Sequence, residues 1–357
     1  PHHATPPCRH FGTCGGCQLQ HLDEDSLAGF VNERVIYAAE GLGLVAQRRA
    51  PPHLSPPNTR RRATLRAING GGRPVIGFNE AGSHKVVDMK ENFILAPELI
   101  ALLDPLRKLL APRRDRYAVE IELTLADQGV DCGIKGITFD GYEAMESLND
   151  FARDHKLARL TMDMGYGAEA LWEPEPVTVT LSGVPVGLPS GAFLQATADG
   201  EATLVGAASE WLAGAGLAAD LFSGLGTFAF ALAAQGVKVS AYEGARDAHL
   251  ACKQAAGRAQ LPVESAHRDL FRNPLQPDEL TRFDAVLLDP PRAGARDQIE
   301  TLAQSSVPKI AYISCNPSSW ARDAKTLVEG GYRLAELRPV GQFRWSTHVE
   351  LASLFVK

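Results

Sequence analysis

The sequence predicts an α/β fold. A C-terminal Rossmann-like domain with a mainly parallel sheet is preceded by a smaller β-rich α+β domain and an N-terminal cysteine knot. Three observations carry this. From about Val186 onward, short apolar runs alternate with amphipathic stretches, the pattern of strands joined by crossover helices. Between 60 and 137, apolar and polar residues alternate around glycine-rich turns, the signature of half-buried antiparallel strands. Ahead of both, three of the six cysteines (Cys8, Cys14 and Cys17) fall within ten residues.

Residues 1–22 are rich in Cys, His and Gly, so they read as a knot. Asp23 or Asp25 supplies an N-cap for a helix running to about Glu40, where Gly41 and Gly43 stop it. These make a first segment, 1–50. Pro51, Pro52, Pro56 and Pro57 mark an extended connector. In the second segment, 51–185, residues 62–68 alternate, Asn69-Gly70-Gly71-Gly72 turns, and 74–78 returns. Residues 97–110 have helical apolar spacing, and 119–125 with 131–137 form another hairpin around Asp127-Gln128-Gly129. In the third segment, 186–357, strands are predicted at 217–222, 237–242, 262–266, 283–289, 309–314 and 349–356, and helices at 199–213, 227–235, 245–257, 295–304 and 318–329. A sheet of that kind is covered on both faces and binds ligands beyond the carboxyl ends of its strands.

The chain has 357 residues, 45% hydrophobic and 22% charged, enough for two or three packed domains. No run of 18 apolar residues occurs, which argues against a membrane span, and the N-terminus has no apolar signal core. Six cysteines in a chain this long do not make a secreted disulfide scaffold. A cytoplasmic monomer is expected. The first residue is Pro1 rather than Met, which leaves room for a domain upstream. Net charge is −6, a mild argument against a polyanionic partner, but its distribution is uneven. Arg48, Arg49, Arg60, Arg61, Arg62, Arg66 and Arg73 occur with no Asp or Glu between 48 and 73, and Arg107, Lys108, Arg113, Arg114 and Arg116 surround Asp115. These are either a solvated face or a track for phosphates.

Asp220-Leu221-Phe222-Ser223-Gly224-Leu225-Gly226-Thr227 stands where the first strand of the third segment turns into a helix. Gly224 and Gly226 let the backbone approach a ligand, and Glu243, ending the next strand, can accept from both ribose hydroxyls. With Ala229 the glycines satisfy the dinucleotide fingerprint, so NAD is one candidate. Two features favour S-adenosylmethionine. Asp220 lies where it could meet the cationic amino-acid end of that cofactor, and Asp289-Pro290-Pro291 ends a strand with an acid and a rigid lip. Asp269, ending the third strand, is placed for an adenine amino group or is a plain loop residue.

Ser314-Cys315-Asn316-Pro317 follows a predicted buried strand, and His348-Val349-Glu350 opens the last apolar run. Alone, each has a bland reading, a packed thiol and a surface acid. Together they offer a nucleophile and a proton acceptor. Beside a nucleotide turn that pair suits an electron-poor ring such as uracil. Cys252, on a predicted helix, reads as packing.

Taken together, these motifs resemble the RNA uracil-C5 methyltransferase family, which makes 5-methyluridine in ribosomal and transfer RNA. The resemblance runs from Cys8-x5-Cys14-Gly15-Gly16-Cys17 through Arg60-Arg61-Arg62-Ala63, Gly77-Phe78-Asn79-Glu80, Ile94-Leu95-Ala96-Pro97 and Phe193-Leu194-Gln195. It continues through the glycine turn and Asp289-Pro290-Pro291-Arg292 to Ser314-Cys315-Asn316-Pro317 and Gln342-Phe343 with Thr347-His348-Val349-Glu350. It implies a class I methyltransferase domain using S-adenosylmethionine, with Cys315 as nucleophile and Glu350 as base. Gln195, Phe222, Glu243, Asp269 and Asp289 would line the cofactor and base pocket. Thr227 stands where many members carry Asn. The implied partner is RNA, and the Cys-Gly-Gly-Cys block points to the ribosomal branch over the transfer-RNA one.

Members with this block hold a [4Fe–4S] cluster through four cysteines, so the resemblance implies Cys8, Cys14 and Cys17 as metal ligands. The fourth is expected in Met89-Lys90-Glu91-Asn92-Phe93, where Asn92 occupies its place. Asn92 or Cys132 could complete the set, or His21 could make a three-Cys, one-His zinc site. Three other functions compete; one is an N6-adenine methyltransferase, whose pocket usually stacks an aromatic just after the two prolines, where this chain has Arg292. A nicotinamide-dependent oxidoreductase leaves Cys315, Glu350 and the Asp-Pro-Pro lip without tasks. A non-enzymatic RNA-binding module leaves the pocket without one.

Overall fold

The computed structural model describes residues 3–357. Helix α1 (Glu24–Glu40) starts where Asp23 accepts the N–H of Ser26, and it ends at Gly41. Its buried residues Leu27, Val31, Val35 and Ala39 recur every four positions. Val31, Val35 and Ala39 pack against the C-terminal sheet, and Leu27 joins Leu19 of the knot in the core of the middle segment. Strands β1 (Arg48–Arg49) and β2 (His53–Leu54) follow, then β3 (Arg62–Asn69), β4 (Pro74–Gly77), α2 (Pro97–Ile100), α3 (Leu103–Leu110), β5 (Ala118–Ala126) and β6 (Gly129–Lys135). Helix α4 (Tyr142–Asp154), β7 (Arg159–Asp163), β8 (Ala168–Trp172), β9 (Thr178–Leu181) and β10 (Val184–Gly187) complete the middle of the chain.

The middle segment forms one six-stranded sheet in the order β4-β3-β5-β6-β7-β8. All its pairs are antiparallel except β6 with β7, which α4 connects as a crossover. One face carries Leu65, Ile76, Val119, Ile121 and Leu123 against Leu99 and Leu106 of α2 and α3. The other leaves Thr64, Arg66 and Glu122 exposed. The β9–β10 hairpin packs apart from this sheet, on a later helix.

The C-terminal segment runs α5 (Ala198–Trp211), β11 (Leu217–Leu221), α6 (Thr227–Ala234), β12 (Lys238–Glu243), α7 (Arg246–Ala259), β13 (Val263–His267), α8 (Pro277–Leu280) and β14 (Ala285–Leu288). Then come α9 (Arg296–Ala303), β15 (Lys309–Ser314), α10 (Pro317–Glu329), β16 (Arg333–Gly341) and β17 (Glu350–Val356). Its sheet has the order β1-β16-β17-β15-β14-β11-β12-β13, with β2 also on β16. Strands β15, β14, β11, β12 and β13 are mutually parallel, and β17 alone runs against its neighbours. Helices α1, α9 and α10 cover one face, and α5 and α6 the other.

The strands and helices read from the third segment are present, but β16 was not anticipated. Its sequence carries Glu336, Arg338 and Pro339, which argue against a buried strand. The structure resolves each conflict. Glu336 accepts hydrogen bonds from Arg338 Nε (2.8 Å) and Trp211 Nε1 (3.1 Å). Pro339 falls in the gap between β1 and β2, where no ladder bond is required. Among the described residues no helix is long and apolar enough to cross a membrane.

Candidate active site

The chain leaves β11 for β12 and β13 on one side, then returns to β14 and β15 on the other. That reversal opens a crevice beyond the carboxyl ends of β11 and β14. A cleft of about 700 Å³ lies there. It has a nucleotide-like half and a reactive half.

In the first half, Gly224 sits at φ +56° with nothing within 4 Å of where a Cβ would be, so the turn presents bare backbone. Glu243 ends β12 and accepts the N–H of Gly224 (2.7 Å) and of Ala245 (2.6 Å). Asp269 caps the loop after β13 through Phe271 N–H (3.0 Å). Phe222 and Phe271 pack against each other, ring centres 5.2 Å apart and tilted by 51°, and both line the cleft as an aromatic surface. Thr227 also lines the cleft, at the start of α6. Phe271, 48% exposed, had no sequence signal beyond its place after a strand-end acid.

In the other half, β15 and β17 are antiparallel neighbours with Ser314 opposite Leu351. Cys315 and Glu350 follow at the same edge, and both line the cleft with Asp289. Burial, then Glu350, then Asp289 push the Cys315 thiol up to about 11, with Arg292 opposing. Asp289 is raised well above the usual carboxylate range by burial and by Glu350. Arg62, its guanidinium 4.6 Å from the Phe193 ring centre, and His348, edge-on to Phe343 at 4.5 Å, close the mouth.

A chain of amides links the two acids. Gln342 Nε2 donates to Glu350 Oε2 and to Gln195 Oε1 (2.8 Å), and Gln195 Nε2 donates to Asp289 Oδ2 (3.2 Å). Gln342 Oε1 accepts Thr197 N–H (3.3 Å), which fixes which way its amide faces. The Asp-Pro-Pro lip is tied to the thiol loop. Asn316 Nδ2 and Ser319 Oγ both donate to Arg292 O, and Asp323, holding Tyr312 OH, accepts Ala295 N–H.

Some candidates lie elsewhere than expected. Asp220 does not line the cleft. It is buried beneath the glycine turn, neither of its oxygens has a hydrogen-bond partner, and burial pushes it up to about 8. Gly226 is a glycine for packing: a Cβ there would meet Phe230 at 2.6 Å and Cys252 Sγ at 2.9 Å. Cys252 is buried, as read. The arginine-rich stretch is not a continuous track. Arg61 turns inward to Glu201 and Gln195 O, Arg60 is half-buried beside Phe343, and Arg49 pairs with Glu40. In the second cluster Arg107 pairs with Asp88 and Asp104, and Arg113 with Asp115.

Cys8, Cys14 and Cys17 line one small cavity together with His10, Glu91 and Asn92. Asn92 Oδ1 already accepts the N–H of Ile94 (2.9 Å) and Leu95 (2.8 Å). His10 Nε2 accepts Lys90 N–H, Glu91 pairs with Arg9, and His21 lies outside this cavity, stacked on His3 and tilted against Phe11. Cys132 is sealed in the core of the six-stranded sheet. Among the described residues no three His, Cys, Asp or Glu side chains are grouped to hold a metal ion. The donors therefore do not fit a four-thiolate cluster.

The parallel sheet with one antiparallel strand and the cleft at its switch point define a class I methyltransferase fold. Aligned with the solved tRNA (uracil-54, C5)-methyltransferase of Pyrococcus abyssi, bound to S-adenosyl-L-homocysteine, the chain gives a TM-score of 0.75 over 96% of its length and 86% of that protein, at 24% identity. Residues 266–357 match the family model described as tRNA (Uracil-5-)-methyltransferase. An RNA methyltransferase of Zymomonas mobilis is 50% identical over all of this chain and 90% of its own length. The 23S rRNA (uracil(1939)-C(5))-methyltransferase RlmD of Chromohalobacter salexigens is 34% identical over all of this chain and 77% of its own. The chain belongs to the RNA uracil-C5 methyltransferase family, enzymes that use S-adenosylmethionine. The bare turn at Gly224, the aromatic surface of Phe222 and Phe271 and Glu243 fit that cofactor.

Proposed function

We propose that this enzyme methylates C5 of a uridine in 23S ribosomal RNA through a covalent bond between Cys315 and C6. The observation that carries it is the placing of Cys315 and Glu350 side by side at one end of one cleft. Uracil C5 is a poor nucleophile. Addition of the Cys315 thiolate to C6 moves the C5–C6 electron pair toward C5 and O4 as an enolate. Bound S-adenosylmethionine supplies an electrophilic methyl group for the carbon so activated. Glu350 takes the C5 proton, the C5–C6 double bond re-forms, and Cys315 leaves as thiolate. Gln195, Phe222, Gly224, Thr227, Glu243, Asp269 and Asp289 would hold the cofactor and base. Asp220, buried below the turn and protonated in the free protein, would give up its proton as the cofactor's cationic end binds and so balance its charge. The middle segment would bind RNA, beginning at Arg62.

The ribosomal choice follows the RlmD relative. Transfer RNA is the second reading, favoured by the names of the matching family and of the Pyrococcus structure. Incubating Glu350→Gln with RNA and cofactor should trap a protein–RNA adduct that survives denaturing electrophoresis, and Cys315→Ala should abolish both adduct and turnover. Full turnover by Cys315→Ala would exclude the thiol. Mapping 5-methyluridine in RNA from cells lacking the protein decides between the two RNAs.

A further inference from the structure

The cysteine knot has no part in the chemistry above, yet it is fastened to the loop that carries part of the reactive site. Residues 342–349 join β16 to β17 and bring Phe343 and His348 to the cleft. A turn closes from Phe343 O to Ser346 N–H at 3.0 Å, with Trp345 as its third residue at φ +60°. Glycine or asparagine adopts that conformation cheaply, and tryptophan does not. The turn must therefore be held from outside.

Two contacts hold it. The Trp345 indole is buried in the core of the middle segment. Its carbonyl accepts two main-chain N–H groups, from Gln18 (2.8 Å) and Leu19 (2.9 Å). The Gln18 side chain adds to this: Oε1 accepts Thr347 N–H (3.4 Å) while Nε2 donates to Gly15 O (2.7 Å). Gln18 follows directly on Cys17, whose thiol faces Cys8 and Cys14 across their shared cavity. On the other side, Gly16 lines a small cavity together with Phe343, Arg344 and Ser346.

We propose that the cysteine knot is the positioning element of the catalytic loop. By fixing the backbone from Cys17 to Leu19 it holds Trp345 in its left-handed turn, and so sets Phe343 and His348 at the cleft mouth. The state of the three thiols then controls the order of this loop without altering the cofactor half of the cleft. The link to turnover rests on the reading of the cleft as catalytic; the link to loop order does not.

Hydrogen exchange on the full chain tests it, comparing wild type with a variant carrying Cys8→Ser, Cys14→Ser and Cys17→Ser. Protection of the amides of Gln18, Leu19 and Ser346 should fall about tenfold or more, the effect of losing one hydrogen bond, with β11 and β12 unchanged. S-adenosylmethionine affinity should stay at the wild-type value while kcat on RNA falls. Wild-type loop protection in the triple variant would overturn the proposal, and so would a loosened loop with undiminished kcat. Gln18→Ala keeps all three thiols and guards against a folding defect: faster exchange at Thr347 alone is expected, and no change there counts against the proposal. If Cys315→Ala proved active, the functional reading would fail while the exchange result stood.

Discussion

Ser314 and Leu351 face each other in register on antiparallel strands, and the residues next to them, Cys315 and Glu350, both line the cleft. The proposed reactive pair thus depends on sheet register, which a slip of one residue would destroy by turning every side chain to the other face. Thirty-five residues of chain separate thiol from acid, but the ladder between β15 and β17 leaves them little freedom.

That closeness sets a measurable reactivity. With its thiol pushed up to about 11 by burial and by the charges of Glu350 and Asp289, Cys315 holds its proton at neutral pH in the free enzyme. Carbamidomethylation of the Cys315 peptide should quicken about tenfold per pH unit from 7 to 9, without a plateau. Glu350→Gln removes one of the opposing charges, so labelling at pH 8 should be faster than in wild type. Equal rates would mean that the acid does not act on the thiol.

Asp220 gives a second pH effect with a defined sign. Its carboxyl stays protonated to about pH 8 in the fold, whereas an unfolded aspartate ionises near 4. Between those values the native state binds one more proton than the unfolded state, so this group's contribution is complete below pH 4 and is lost as pH rises through 8. The melting temperature of the free protein should fall from pH 5 to 8, and Asp220→Asn should flatten that fall while weakening cofactor binding. Parallel curves would show the carboxyl to be ionised in the folded chain.

The same two residues show what the sequence could and could not reveal. Cys315 and Glu350 were legible because one follows an apolar run and the other begins one; what brings that end and that start to one edge is the antiparallel course of β17 beside β15. Asp220 was read as a cofactor contact because strand ends face ligands. The structure instead buries it one layer below, a depth that periodicity does not encode. Strand β16 was hidden for the opposite reason. Its Glu336 is satisfied by Arg338 of the same strand and by Trp211 of α5, the latter a partner that only the assembled fold supplies. The arginines between 48 and 73 looked alike in sequence, but their alternation along the chain sends Arg61 inward and Arg62 to the cleft.

Gly200 tests the amide chain behind Glu350. It lies in the first turn of α5, where an added Cβ would meet Gln342 Cβ at 2.7 Å and its Oε1 at 2.8 Å. Gly200→Ala must displace Gln342 and so withdraw its hydrogen bond from Glu350. Overpacking of this kind costs about 1–3 kcal/mol of stability. Turnover should drop roughly tenfold or more, since a hydrogen bond to a charged group is worth about 1.5–3 kcal/mol. The adduct should build up as it does in Glu350→Gln. Loss of stability with normal turnover would show that Glu350 keeps its orientation without Gln342.

Asn92 is the point at which this chain departs from a four-cysteine knot, and its role here is to fold the loop. Its Oδ1 caps the N–H groups of Ile94 and Leu95, and Asn58 Nδ2 donates to its carbonyl. Asn92→Ala should therefore cost about 1–2 kcal/mol, the usual loss when a side-chain cap on backbone N–H groups is removed. Asn92→Asp, which keeps the acceptor, should cost less. Asn92→Cys loses the cap but adds a fourth thiol to the cavity that holds Cys8, Cys14 and Cys17. If thiolate number governs metal retention, Asn92→Cys reconstituted anaerobically with iron and sulfide should keep more iron through gel filtration than wild type does. Equal retention would mean that the three native thiols, with whatever fourth donor they recruit, already suffice.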